Sequence, residues 1–204
     1  MPVEPADEFV PVVVEIPRGS RNKYEIDHET GQIWLDRRLF SATVYPADYG
    51  YVDDTLGEDG DPLDALVILE EPTFPGCRLR ARPVGVFWME DDAGPDAKII
   101  CVPHGDPRWA HVTDIDQLPD HLTDEIEHFF NVYKQLEPGK FANTRGFEGR
   151  DKALTEIAES RARATNVALE AASLQELVAA IGISGIGEVG GVDSESFTTQ
   201  RTSR

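Results

Sequence analysis

Two cysteines, Cys77 and Cys101, are all that the 204 residues contain, too few for a disulfide-stapled scaffold. Cations are scarce as well. Nineteen lysines and arginines face 38 aspartates and glutamates, for a formal net charge of -19. That balance argues against a nucleic-acid backbone or an anionic membrane surface as the main partner. No apolar run approaches the ~20 residues that cross a bilayer. The opening stretch "MPVEPADEFV" is acidic and broken by prolines, so it does not read as a signal peptide. The expectation is a cytoplasmic protein that engages neither nucleic acid nor membrane. If its ligand is an anion, cations must stand between that ligand and the carboxylates.

What is present begins with strands. "VPVVVEIP", "KYEIDHETGQIWLDR", "DALVIL", "RLRARPVGVFWM" and "AKIICVP" are rich in Val and Ile, with partial alternation. "HETGQ" between two such runs reads as a hairpin connection. This spacing suggests a small barrel or sandwich. Past Leu118 the period changes: Ile126, Phe129, Phe130 and Tyr133 recur at helical spacing. Thr123 is the expected N-cap, and Pro138 and Gly139 stop the helix. A second helix is expected from about Asp151 through "DKALTEIAESRARA". "LEAASLQELVAAIG" offers a further turn or two, and the Gly- and Ser/Thr-rich end reads as a flexible tail.

The tail holds a formal G-x-G-x-x-G at Gly185, Gly187 and Gly190, but no strand precedes it and no room for a βαβ unit follows. Asp59, Asp61 and Asp64 crowd into "DGDPLD", which half-matches a calcium loop. Asp64 stands where that loop needs Gly, and a strand-like run follows. Mg²⁺ is a better candidate, since it prefers oxygen ligands and keeps several waters. A second acidic set, Asp91, Asp92 and Asp96, lies on an expected turn between strands. Each cluster alone reads more readily as a solvated acidic loop than as a metal site. Lys23, Arg37 and Lys98 stand in or beside strands, and Tyr45, Tyr49 and Tyr51 cluster in "VYPADYGYV". If they converge, they make a site with carboxylates for metal and cations for phosphate oxygens. The five histidines show no zinc-site spacing.

Taken together, "VEIPRGSRNKYEID", "YPADYGYV", "DGDPLD", "RPVGVF", "DAGPDAK", "VPHGDPRW" and "HFFNVYKQLEPGK" resemble the family I soluble inorganic pyrophosphatases of bacteria, from about Val13 to Ala164. The resemblance implies an α+β, mainly β fold: a five-stranded, OB-like closed β-barrel flanked by α-helices. It places the enzyme domain at 1–164 and a C-terminal extension at 165–204. It implies Mg²⁺-dependent hydrolysis of pyrophosphate to two phosphates, with several ions per site. The metal-binding positions it matches are Asp59, Asp64, Asp91 and Asp96, with Glu15 and Glu25 nearby or acting through water. The phosphate-binding positions are Lys23, Arg37, Tyr49, Lys98, Tyr133 and Lys134. Asp61 matches the general base, with Asp96 the second candidate. A homo-oligomer, hexameric by resemblance, is implied too. Hydrolysis of another phosphoanhydride, an OB-type binding module and a metal-sequestering protein are the competing readings.

Overall fold

The computed structural model describes residues 9–92 and 94–180. Its elements run β1 (Val10–Ile16), β2 (Asn22–Ile26), β3 (Ile33–Arg38), β4 (Asp48–Val52), β5 (Asp64–Val67), β6 (Arg78–Asp91), β7 (Gly94–Pro103), α1 (Asp120–Val132), β8 (Ala142–Gly149) and α2 (Arg150–Ala180). The tail and its glycine motif lie outside the described residues. Among the described residues no helix is long and apolar enough to cross a membrane.

Five strands close a ring in the order β1–β4–β5–β7–β6 and back to β1, with β5 and β7 parallel and the remaining pairs antiparallel. The barrel is mainly β and OB-like. The long β6 changes partners. Arg78 to Ala81 pair with β1, while Gly85 to Asp91 pair with β8 along the same edge. β2 and β3 form a separate hairpin.

"DALVIL" and "KIICV" are continuously apolar because both faces of these strands are covered. Leu66, Ile100 and Val102 join a cluster with Phe129 and Phe130 of α1. Ala65, Val67, Ile99 and Cys101 join another with Ala153 and Ile157 of α2.

Some expectations shift. α1 starts at Asp120, with Pro119 before it and no side-chain cap; the Thr123 hydroxyl instead donates to the Asp120 carbonyl, one turn inside the helix. Asp91 and Asp96 are strand residues, not turn residues, because the β6–β7 hairpin stays paired out to Asp91 and Gly94. β4 and β8 were not foreseen as strands. The two helical segments after residue 150 form one helix to Ala180. The chain divides into two compact units between residues 166 and 167; the first holds all the described strands and α1.

Candidate active site

Parallel pairing of β5 with β7 sets Asp64 beside Lys98 in register. Asp96 lies two residues earlier on β7, so its side chain emerges on the same face. Lys98 is 1 % exposed, and its ammonium donates to Asp64 Oδ2 and Asp96 Oδ1, each at 2.7 Å, and to the Tyr49 hydroxyl at 3.3 Å. The Tyr49 hydroxyl in turn donates to Asp64. The rings of Tyr49 and Phe130 lie 5.4 and 5.2 Å from the same ammonium, within cation–π range. Burial by itself would lower the Lys98 pKa, but Asp64 and Asp96 outweigh it and push the pKa up, so the ammonium stays charged. Burial raises Asp96 above the usual carboxylate range; Lys98 pulls it down, and Asp64 and Asp91 push it further up.

Above this buried knot opens a cleft of about 640 Å³. The β2–β3 hairpin forms one wall. Lys23 and Arg37 stand directly opposite each other in its ladder, an arrangement of like charges that costs stability unless anions lie between. Lys23 pairs with Glu25 and, at 3.4 Å, with Asp36. Arg37 pairs with Asp36 and reaches Glu137 at 3.1 Å.

Other walls come from distant elements. β1 contributes Glu15, which accepts from the Ile26 amide at 2.9 Å. Burial pushes Glu15 up to about 7; that hydrogen bond works against the rise and Asp64 adds to it. The loop between β4 and β5 contributes Asp59 and Asp61. Gly60 at φ +96° bends the backbone there, and the Asp61 amide donates to Asp59 Oδ1 at 3.2 Å. Tyr133 caps the end of α1 and Lys134 follows it, and Lys134 holds Asp91 at 2.5 Å and Asp92 at 3.7 Å. Burial raises the Tyr133 phenol, which Lys98 and Lys134 partly counter.

Twelve of the thirteen positions implied by resemblance line this one cleft, and Lys98, the thirteenth, lies beneath it bonded to three of them. Asp92 of the second acidic set lines it as well, though the resemblance matched no role to it, and Glu137 and Lys140 line it without having been anticipated as site residues. "QLEPGK" was read only as a helix stop, yet the chain after α1 folds back to place Glu137 on Arg37 and Lys140 on Asp92. Their signal in the sequence was charge within a stop.

Nine carboxylates and four lysine or arginine side chains line the cleft. Among the described residues neither Asp59 nor Asp61 forms an ion pair, and no three carboxylates form a ready-made metal cage. The arrangement can hold cations through its carboxylate oxygens and an anion through Lys23, Arg37 and Lys134, which are interleaved with them.

Comparison with known proteins agrees with this chemistry. Residues 12–165 match the family described as inorganic pyrophosphatase. A curated relative from Leifsonia xyli, named inorganic pyrophosphatase, is 62 % identical over 136 residues, covering 67 % of this chain and 83 % of its own. One of the same name from Streptomyces coelicolor is 60 % identical over 152 residues, covering 74 % and 93 %. The crystal structure of inorganic pyrophosphatase from Thermus thermophilus superposes with a TM-score of 0.77 at 46 % identity, covering 81 % of this chain and 97 % of that one.

Proposed function

The chain belongs to the inorganic pyrophosphatase family, hydrolases that split pyrophosphate, and from that premise we propose that it works with several Mg²⁺ ions by in-line attack of water. The observation that carries this reading is the single cleft on which nine carboxylates and four lysine or arginine side chains converge.

The donor set fits a hard divalent cation. Every candidate ligand is a carboxylate, the carboxylates outnumber the cations, and Mg²⁺ keeps enough waters that no closed cage is needed. Asp59, Asp64, Asp91 and Asp96 hold the ions, with Glu15 and Glu25 contributing directly or through water. When bound, such ions neutralise phosphate oxygens and make coordinated water a stronger acid.

The residues of the chain do the rest. Lys23, Arg37 and Lys134 bind the phosphate oxygens, the two lysines as point charges and Arg37 through its fork of donors. Tyr133 and Tyr49 add hydroxyls. Lys98 acts from below, fixing Asp64 and Asp96 in place and offsetting their charge. Asp61 accepts the proton of the attacking water. Water oxygen bonds to one phosphorus as the bridging P–O bond on the opposite side breaks, and two orthophosphates leave. Asp61 suits the base better than Asp96: it is exposed without an ion pair, whereas Asp96 is held by Lys98.

The enzyme domain is assigned to 1–164 and the extension to 165–204. The protein is placed in the cytoplasm, as a homo-oligomer and by resemblance a hexamer, with no nucleic-acid or membrane partner. Phosphate release from pyrophosphate at saturating Mg²⁺ tests the mechanism, with Asp61→Asn and Asp96→Asn in parallel. Expected are activity that vanishes on chelation and a loss of about 10²–10⁴-fold in Asp61→Asn. Full activity in Asp61→Asn would move the base to another residue. Activity indifferent to chelation would overturn the metal reading.

A further inference from the structure

Asp59 and Asp61 stand on the loop that joins β4 to β5, residues 53–63. Among the described residues both side chains are exposed and neither forms an ion pair. The hydrogen bonds around them stay within the loop: the Asp61 amide donates to Asp59 Oδ1 at 3.2 Å, and the Gly57 amide donates to the Asp61 carbonyl at 2.6 Å. Where the two carboxylates stand therefore depends on what holds the base of the loop.

Two clamps hold it. The first is local: the Thr55 hydroxyl donates to the Val52 carbonyl at 2.6 Å and accepts from the Leu63 amide at 3.0 Å, closing the ends of the loop on each other. The second comes from α2. The Leu56 amide donates to the Ser160 carbonyl at 3.1 Å, and the Leu56 carbonyl accepts from Arg163 Nε at 2.8 Å. Both backbone polar groups of Leu56 are thus taken by one helix. Gly57 follows directly, and a Cβ there would lie 2.8 Å from Asp59 Oδ1 and 3.1 Å from the Asp61 carbonyl oxygen. The segment that α2 grips lies against both aspartates.

Arg163 also donates to Glu156 Oε1 at 2.7 Å and to the Ser160 hydroxyl at 2.6 Å. Glu156 lines a small cavity of about 60 Å³ together with Asp59, Asp64 and Asp96, so it adds negative charge behind them, which Arg163 offsets. We infer that Arg163 is a positioning residue for the reaction, acting through the Leu56 carbonyl to fix the loop that carries Asp59 and Asp61. The inference rests on the roles proposed above for those two aspartates. Docking of α2 does not need the arginine, since Ala153 and Ile157 are already buried in the cluster with Ala65 and Ile99. The guanidinium suits the task because its donors point from different edges of one plane, Nε to Leu56 and a terminal nitrogen to Glu156 and Ser160. A lysine keeps the charge but gathers its donors on one atom.

The test uses the full-length chain with Arg163→Met, which removes the donors, and Arg163→Lys, which keeps the charge. Hydrogen exchange in the metal-free protein reads the loop itself. Arg163→Met should exchange about 10-fold faster at residues 55–61, with residues 97–103 of β7 unchanged. Mg²⁺ binding without substrate, followed by calorimetry, should weaken by about 10–100-fold, and kcat at saturating Mg²⁺ should fall by a similar factor. KM for pyrophosphate should stay within about twofold, because Lys23, Arg37 and Lys134 lie outside the loop. Arg163→Lys should recover little of these losses. Unchanged exchange in the loop, faster exchange throughout α2 and β7, or full recovery in Arg163→Lys would overturn the inference and leave the reading of the cleft intact. Faster loop exchange with unchanged kcat and Mg²⁺ binding would instead overturn the roles given to Asp59 and Asp61, and the inference with them.

Discussion

The ammonium of Lys98 lies 2.7 Å from a carboxylate oxygen of Asp96, two residues away on the same strand, with no exit to solvent for the lysine. The pair is the floor of the cleft. Lys98→Met keeps the bulk and removes the charge, leaving Asp64 and Asp96 facing each other. Loss of one partner of a fully buried ion pair costs about 3–5 kcal/mol. Here both carboxylates keep some solvent contact, so about 2–4 kcal/mol is expected in urea unfolding. Phosphate release should fall by about 10²–10³-fold, as when a pre-set electrostatic group is lost. Unchanged turnover would show that the lysine only fills space.

Glu15 makes stability depend on pH in the metal-free protein. Its carboxyl is pushed up to about 7 from the model-compound 4.5, chiefly by burial. Below pH 4.5 it is protonated in both folded and unfolded chains and contributes nothing. As pH rises toward 7 the unfolded chain ionises first, so its contribution to folding becomes unfavourable, and above 7 the cost is full. Glu15→Gln keeps an acceptor for the Ile26 amide and removes that cost. With chelator present, the variant should be about 1–3 kcal/mol more stable than wild type at pH 8 and equal to it at pH 4. Thermal melts at the two pH values check this, and a gain at pH 4 as large as at pH 8 would contradict it.

Gly50 is fixed by close approach of backbones, not by a turn. A Cβ there would lie 1.9 Å from the Val13 carbonyl oxygen and 2.8 Å from Val14 Cα. Neither atom belongs to a flexible side chain, so β1 and β4 would have to part. Gly50→Ala should destabilise by more than about 4 kcal/mol, among the largest single-residue effects. Because Gly50 sits between Tyr49 and Tyr51, any folded fraction should also lose the Tyr49–Lys98 contact and with it activity. Soluble yield and denaturant melts give the first answer, turnover per folded molecule the second.

The residues of the site were legible in the sequence because its chemistry demands particular side chains. Carboxylates at Asp59, Asp61 and Asp64 beside an apolar run can be seen without a fold. What could not be seen is convergence. Asp64 meets Lys98 only because β5 and β7 pair in parallel, a contact between strands separated by β6. Strand β8 was missed for a related reason. "ANTRGFEG" has little apolar alternation, and it is extended because the outer edge of β6 needs a partner for its backbone groups. The break expected within α2 followed from taking Ala164 as the end of the enzyme, whereas the helix runs on across that point to Ala180. Glu137 and Lys140 were hidden in a helix stop, where charge usually signals only solvent.

The two cysteines, too few to staple the fold, can report on it. Cys77 is partly exposed, while Cys101 is fully buried and its thiol is pushed up by that burial. Cys101 lies on β7 opposite Val67 of β5, three residues past Lys98. A thiol reagent should therefore label Cys77 promptly and Cys101 only when the β5–β7 seam opens. Opening that seam separates Asp64 from Lys98 and dismantles the site, so bound ligands must leave first. Mg²⁺ with a non-hydrolysed pyrophosphate analogue at about a hundred times its dissociation constant should slow Cys101 labelling by about 100-fold. Cys77, outside the cleft, should keep its rate. Equal slowing of both thiols would mean that protection reaches the whole barrel, and no slowing of Cys101 would mean that the seam opens with ligand in place.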